Sequence, residues 1–285
     1  MDLAALQVFK AVADCGGINR AAARLNRVQS NVTTRVKQLE ERLGIPLFHR
    51  RNRKLVLSEE GKVLLDYAER LLRLSAEAHA AVRGRVTPQG ALRLGSLEST
   101  AATRLPPLLA RYHAAHPEVA LELITGTTGA LVERVLSEEI EAAFVAEPFT
   151  EHGLDRRLAF TEELVLVASP GTSAHGSPQA FAHVPVLAFA AGCSYRRRLE
   201  AWLAREGIAP NRIMEYGSYH AIVACAVAGA GIAVVPRSVL QVLKVGRRLQ
   251  AHRLPRDIAI ARTFLVWRKG HRSGALDALK ESLAA

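Results

Sequence analysis

The chain is poor in cysteine and in aromatic residues, with Cys15, Cys193 and Cys225 in 285 residues and only 5% Phe, Trp and Tyr. An odd number of widely spaced thiols without a CxxC pair excludes a disulfide-stapled scaffold and favours a reducing compartment. Long apolar runs are also missing. Residues 221–235 form the longest, carry Gly229 and Gly231, and fall short of the roughly 20 residues a membrane-spanning helix needs. That run reads as buried core. Met1-Asp2-Leu3 lacks the basic-then-apolar pattern of a secretory leader, so a cytoplasmic chain with no membrane contact is expected. Ten histidines are scattered without the paired spacing of a zinc site, and no GxSxG elbow occurs. Gly229-Ala230-Gly231 precedes its strand and lacks the third glycine of a dinucleotide loop. No catalytic residue, metal ligand or cofactor is therefore assigned, and an enzyme is not expected.

Basic charge is abundant. Thirty-eight Lys and Arg face 27 Asp and Glu, a net of +11, which suggests a polyanionic partner. The excess is uneven. Residues 1–90 hold 16 basic and 9 acidic side chains (+7), whereas the other 195 hold 22 and 18 (+4). Residues 20–54 alone carry ten basic side chains against Glu40 and Glu41. With 49% hydrophobic and 23% charged residues the chain is globular, and its length suits two or three domains.

Within that basic segment the apolar spacing is helical. Leu3, Leu6, Phe9, Val12 and Ala13 predict a first amphipathic helix ending near Gly16-Gly17. Residues 18–25 predict a short second helix whose central alanines let a neighbour cross closely, as a helix-turn-helix requires. After the turn Asn26-Arg27-Val28, residues 29–43 predict a third helix with Val32, Val36, Leu39 and Leu43 as its buried stripe. Its opposite face carries Gln29, Ser30, Asn31, Thr33, Thr34, Arg35 and Lys37. Short polar side chains at the start of such a helix suit base edges, and the cations suit phosphates.

These residues also resemble a known family. Ala21-Ala22-Ala23-Arg24-Leu25, Val28-Gln29-Ser30, Gln38-Leu39-Glu40 and Leu43-Gly44-Ile45-Pro46-Leu47-Phe48-His49-Arg50 are similar to the DNA-binding domain of LysR-type transcriptional regulators. Residues 55–61 resemble the wing's second strand and the entry to a linker helix. The resemblance implies that Gln29, Ser30, Thr33 and Thr34 face bases and that Arg50, Arg51 and Arg53 line a wing able to enter a narrow minor groove. Ser30 stands where the family often has proline.

From Glu59 to about Arg83 only Gly61 interrupts helical character. Leu64, Tyr67, Leu71, Leu74, Ala78 and Ala81 alternate at three and four, the a/d pattern of a coiled-coil seam roughly 35–40 Å long. Gly84, Pro88 and Gly90 mark a hinge-like boundary. The expected division is a winged helix-turn-helix at 1–58, a dimerising linker at 59–88 and an effector domain at 89–285.

Beyond Gly90, strands are expected at 91–96, 119–125, 142–146, 164–169, 186–189, 212–216, 232–235 and 263–267. Helices are expected at 100–115, 129–138, 195–206, 219–228 and 238–243. This alternation predicts an α/β region of parallel sheets covered by helices. It resembles the family's effector domain, a two-lobed Rossmann-like fold of periplasmic-binding-protein type. The likeness implies lobe one at about 91–161 plus 266–285 and lobe two at about 162–265.

Ligands in such folds sit at strand C-termini beside helix N-termini. Four hydroxyl-bearing segments qualify: Glu98, Ser99 and Thr100; Thr127 and Thr128; Ser194, Tyr195 and Arg196; and Ser218, Tyr219 and His220. Ordinary helix capping explains any one of them equally well. Residues 95–102, 193–197 and 217–220 resemble the putrescine-utilisation regulators within the family, which implies an amine or amino-acid-related effector held by groups such as Glu98 and Arg196.

The expected protein binds double-stranded promoter DNA and a small-molecule effector. The resemblance implies a homodimer or homotetramer that bends DNA. A solute-binding receptor is suggested by the two-lobed region alone, but the missing leader and the basic N-terminus argue against it. The alternative kept is a cytosolic small-molecule-binding or thiol-sensing protein without base-specific readout. Cys225 lies in an apolar helical stretch, which favours an inert buried thiol over a sensor.

Overall fold

Asp2 starts the first helix. Its carboxylate accepts the Ala5 N–H at 2.7 Å, and α1 (Leu3–Cys15) runs until Gly16 adopts a left-handed φ of 61°. The computed structural model describes residues 1–51, 54–82, 88–172 and 178–283, with residues 50, 51, 54, 73, 77, 80–82, 178 and 180 described as backbone. The chain divides into two compact units, Met1–Val86 and Thr87–Ala285.

In the first unit α2 (Ile18–Arg24) buries Ala21 and Ala22, and their small side chains let α1 and α3 (Gln29–Leu43) close on it. Val32, Val36 and Leu39 form the buried stripe of α3; Leu43, expected to complete it, is 39% exposed at the helix end. Gly44 closes α3 with a left-handed φ of 71°. The Glu40 carboxylate then accepts the N–H groups of Leu47 (2.7 Å) and Phe48 (3.2 Å), aiming the chain into an antiparallel hairpin of β1 (Phe48–Arg51) and β2 (Lys54–Leu57).

Ser58 caps the next helix, α4 (Glu59–Val82): its hydroxyl accepts the Gly61 N–H and donates to the Pro46 carbonyl, both at 2.8 Å. Leu64, Leu65, Ala68 and Leu72 pack against Leu6, Phe9, Leu39 and Leu47. Each large side chain buried there contributes about 1.5–3 kcal/mol. On the rest of α4, Val63, Tyr67, Leu71 and Leu74 are exposed at 59%, 54%, 38% and 57%. Of the expected seam, Leu64 thus packs into its own unit, Tyr67, Leu71 and Leu74 do not, and the Ala81 side chain lies outside the described residues.

The second unit is built on β3 (Gly90–Ser96), β4 (Val119–Thr125), β5 (Ala142–Ala146), β6 (Leu154–Ala168) and β11 (Ile260–Arg268). β3 pairs in parallel with β4 and β5, but β11 is antiparallel to both β5 and β6. The fifteen-residue β6 continues past β11 and pairs antiparallel with β9 (Ala233–Pro236) and β10 (Gln250–Arg253). β7 (Val186–Phe189) and β8 (Ile213–Tyr216) run parallel, and a bridge from Val186 to Ile232 brings β7 to the chain entering β9.

The seven-stranded sheet is therefore mixed rather than parallel, because β11 lies between β5 and β6 and runs antiparallel to both. The lobe boundary expected at 161/162 falls inside β6, and the one at 265/266 inside β11; both strands run through both lobes.

Helices cover these sheets. α5 (Glu98–Thr103) and α6 (Leu105–Ala115) replace the single helix expected at 100–115. Pro106 and Pro107 lack the N–H that a helix interior needs, so they fit only the first turn of a new helix. α7 (Thr128–Leu136) packs Leu131, Val132 and Val135 onto one face of the first lobe. The other face holds Leu92, Leu94, Leu105, Phe144 and Tyr112, with Leu276 and Leu279 of α12 (Gly274–Ser282), a helix not anticipated. The second lobe packs α8 (Ser194–Arg205), α9 (Tyr219–Val227) and α10 (Arg237–Leu243) around Leu164–Ala168, with a short α11 (Arg256–Ala259) before β11. Among the described residues no helix is long and apolar enough to cross a membrane.

Candidate nucleic-acid interface and ligand cleft

The N-terminal end of α3 is open. Val28 precedes it with no side-chain cap, so the first N–H groups of a fifteen-residue helix face outward where anions are favoured. Gln29, Ser30, Asn31, Thr33, Thr34 and Lys37 are all exposed around that end. The Thr33 hydroxyl donates to the Gln29 carbonyl at 3.0 Å, which leaves its lone pairs to accept. Lys37 lies 3.6 Å from Glu41, and Arg35 lies 3.9 Å from Asp2, whose charge also faces Arg42 at 4.0 Å. The Ala5 N–H, and to a lesser degree these guanidinium groups, hold the exposed Asp2 carboxyl below its ordinary range. Arg50 and Arg51 stand in β1 as backbone; their side chains, and Arg53 entirely, lie outside the described residues.

In the second unit a cleft open to solvent lies where the N-termini of α5, α7, α8 and α9 converge. Glu98, Ser99, Thr127, Ser194, Tyr195 and Tyr219 line it, six of the residues singled out from sequence. Leu97, Gly126, Phe189 and Cys193 complete the wall. The rings of Phe189 and Tyr219 stand 4.6 Å apart, and those of Tyr195 and Tyr219 6.3 Å apart, so one side of the cleft is aromatic.

Glu98 is the acidic group of this wall. It accepts a long hydrogen bond from the Tyr219 N–H at 3.4 Å and forms no ion pair among the described residues. Burial pushes its carboxyl above the ordinary range, against the opposing pull of that N–H and of the nearby His220. Behind it, the Tyr195 hydroxyl lies beside those of Ser99 and Thr263, yet none of the three closes a well-aligned bond. Thr100, 1% exposed, is likewise without a hydrogen-bond partner among the described residues. Burial raises the Tyr195 and Tyr219 phenols far above their usual range, so both remain protonated donors.

The other expected ligand residues do not line this cleft. Thr128 donates to the Ala146 carbonyl at 3.2 Å, and Ser218 caps α9 by accepting the Ala221 N–H at 3.3 Å. His220 is exposed. Arg196 is held by Glu200 (2.8 Å), Glu215 (2.5 Å) and the Phe189 carbonyl (3.1 Å), so its charge is already matched within the second lobe. Ser194, although in the wall, donates to the Glu147 carbonyl at 2.7 Å.

Cys193 was missed as a wall residue. It precedes α8, and burial raises its thiol despite hydrogen bonds from the Arg196 and Tyr195 N–H groups. Phe189 carried one usable signal, its place at the C-terminal end of a strand.

Below the cleft, Glu162 is 3% exposed and receives Arg104 (2.5 and 3.2 Å) and the Ser238 hydroxyl (2.9 Å). This joins the first turn before α6, the long β6 and α10.

Comparison with known proteins gives a consistent result. Residues 3–62 match the model of the bacterial regulatory helix-turn-helix protein, lysR family, and residues 85–285 that of the LysR substrate binding domain. The HTH-type transcriptional regulator GltR of Bacillus subtilis (strain 168) is 38% identical over 269 residues, 94% of this chain and 91% of that protein. The probable transcriptional regulator PA0477 from Pseudomonas aeruginosa has a similar structure, with a TM-score of 0.76 at 21% identity over 99% of this chain and 96% of that one. Full-length CbnR complexed with its target DNA gives a TM-score of 0.66 at 24% identity over 100% and 99% of the two chains.

Proposed function

The chain belongs to the LysR family of bacterial helix-turn-helix transcriptional regulators, and from that premise we propose how its residues divide the work. The protein is a DNA-binding regulator. Gln29, Ser30, Thr33 and Thr34 discriminate bases, and Arg35, Lys37 and the wing residues Arg50, Arg51 and Arg53 supply salt-sensitive attraction to phosphates. The observation that carries this reading is the uncapped N-terminus of α3, ringed by exposed amide and hydroxyl side chains in a basic unit. The exposed line Tyr67, Leu71 and Leu74 on α4 seats a second copy, and the dimer places two recognition helices on one duplex. The protein works in the cytoplasm, where its DNA is, and performs no catalysis.

The effector occupies the cleft of the second unit and is a small amine or amino-acid-related molecule. Glu98 supports this reading: a half-buried carboxylate with no Lys or Arg partner among the described residues stands against an aromatic wall, an arrangement that favours a ligand ammonium. The buried hydroxyls of Ser99 and Tyr195 can donate to a ligand carboxylate. The similarity of residues 95–102, 193–197 and 217–220 to putrescine-utilisation regulators points to the same ligand class. A ligand that prefers one arrangement of the lobes shifts the regulator; equal affinity for both would shift nothing.

The test is calorimetry of the full-length protein against a panel of small diamines and amino acids, repeated with Glu98→Gln. A charge-assisted contact contributes about 1.5–3 kcal/mol, so the variant should bind a positive hit roughly ten- to hundred-fold more weakly. Absence of heat with every amine and amino acid, or unchanged affinity in the variant, removes this assignment.

A further inference from the structure

Residues 244–256 read Lys-Val-Gly-Arg-Arg-Leu-Gln-Ala-His-Arg-Leu-Pro-Arg and contain five Lys or Arg and no acidic residue. Lys244, Arg247, Arg248, Arg253 and Arg256 are all exposed, and none forms an ion pair among the described residues. Among the described residues Arg248 donates only to the Val245 carbonyl, at 3.3 Å, and Glu163, which senses the Arg253 charge, is already held by Arg237 at 2.7 and 2.9 Å.

The segment is also firmly built. Val245, Leu249 and Leu254 are buried in the second lobe, and Ile258 just beyond them, so the cations project from a fixed ribbon. That ribbon includes β10, which ends the strand order of the sheet. Fewer charges suffice to discourage another strand from pairing with such an edge, so five call for a different explanation.

We propose that this basic ribbon is a second, sequence-independent contact for the phosphate backbone of duplex DNA, separate from the helix-turn-helix. Three features favour a polyanion over an acidic protein. The ribbon has no exposed aromatic side chain to anchor a protein interface. Four of its five cations are arginines, whose planar forks suit phosphate oxygens. The protein already holds duplex DNA, so flanking phosphates are present at high effective concentration. The inference rests on the DNA-binding reading, but it fails separately, since the α3 contacts are left intact in the experiment.

The experiment is a salt titration of full-length protein on a long duplex of random sequence, read by fluorescence anisotropy. Arg247→Gln, Arg248→Gln and Arg253→Gln are combined in one variant. A control variant removes the same charge elsewhere on the second unit, through Arg111→Gln, Lys269→Gln and Arg272→Gln, all exposed positions. Each lost phosphate contact lowers the slope of log K against log salt by roughly 0.9. The ribbon variant should lose about two to three from that slope and at least ten-fold in affinity at low salt. The control should lose less than about half a unit, and a ribbon variant with Lys at the three positions should keep the parental slope. Equal losses in ribbon and control variants would reduce the effect to net charge and overturn the proposal. An unchanged slope in the ribbon variant would also overturn it and leave the ribbon to an acidic protein partner. Loss of binding by the parental protein itself would instead remove the DNA-binding reading.

Discussion

Replacing Gly61 with alanine sets two effects of known size against each other. Gly61 is buried in the first turn of α4, and a Cβ built there lies 2.2 Å from the Leu47 carbonyl oxygen and 3.0 Å from a Leu57 methyl. An ordinary carbon–oxygen contact is about 3.3 Å or more, so helix and loop would have to part by about 1 Å. Leu47 is fully buried, and its carbonyl accepts the Ser58 N–H at 2.9 Å, the bond that fixes the start of α4. Alanine gains about 1 kcal/mol over glycine in helix propensity. Overpacking costs about 1–3 kcal/mol, and weakening the Ser58 bond adds about 1 kcal/mol. Gly61→Ala should therefore destabilise the first unit by about 1–3 kcal/mol, with its melting point lowered by roughly 4–8 °C per kcal/mol. Calorimetry of the full chain reads that transition. A first unit that melts at or above the parental temperature would show that α4 is not seated on the Leu47 carbonyl as described.

Three further outcomes follow from the geometry. Glu162→Ala strands the Arg104 guanidinium and the Ser238 hydroxyl; because Arg104 keeps 39% side-chain exposure, the cost should be about 2–3 kcal/mol in urea unfolding of the second unit, below the upper range for a fully buried pair. Leu71→Glu with Leu74→Glu should turn a dimer into a monomer in analytical ultracentrifugation without lowering the melting point of the first unit; a persistent dimer would move the seam elsewhere. The pH dependence concerns Glu98, whose carboxyl is raised by burial. Its ionisation destabilises the fold as pH rises from the unfolded pKa through the folded one, and that penalty is absent below both. An ammonium ligand favours the ionised form, so calorimetric affinity should tighten as pH climbs through the same window and then level off. In Glu98→Gln this slope should vanish.

Much of this architecture was legible where one face of an element is buried and the other wet. The stripe Val32, Val36 and Leu39 opposite Gln29, Ser30 and Thr33 defines α3 at its observed ends. The strands at 119–125, 142–146 and 186–189 stand out as short apolar runs. The first ten residues of β6 were not legible. Asp155, Arg156, Arg157, Glu162 and Glu163 interrupt them because that half is only partly covered, and a continuous apolar run begins only at Leu164, where both faces are buried. Strand direction is also invisible to periodicity, so the antiparallel pairing of β6 with β11 was not anticipated.

Hydroxyls at helix starts drew attention to the loops that line the cleft but could not separate caps from wall residues. Ser218 and Thr128 are spent on backbone, whereas Ser99 is not. For Arg196, expected as a ligand contact, the sequence could not show Glu215, nineteen positions away, standing beside it.

The central claim is base-specific DNA binding through α3. Its most direct test is fluorescence anisotropy of the full-length protein on its own upstream intergenic DNA and on a scrambled duplex, across several salt concentrations, with the parental chain and Gln29→Ala. The parental protein should prefer the native duplex by at least ten-fold, about 1.4 kcal/mol. Gln29→Ala should lose about 1–3 kcal/mol on that duplex and almost nothing on the scrambled one. Equal loss of affinity on both duplexes, or no binding to either at low salt, would contradict the account.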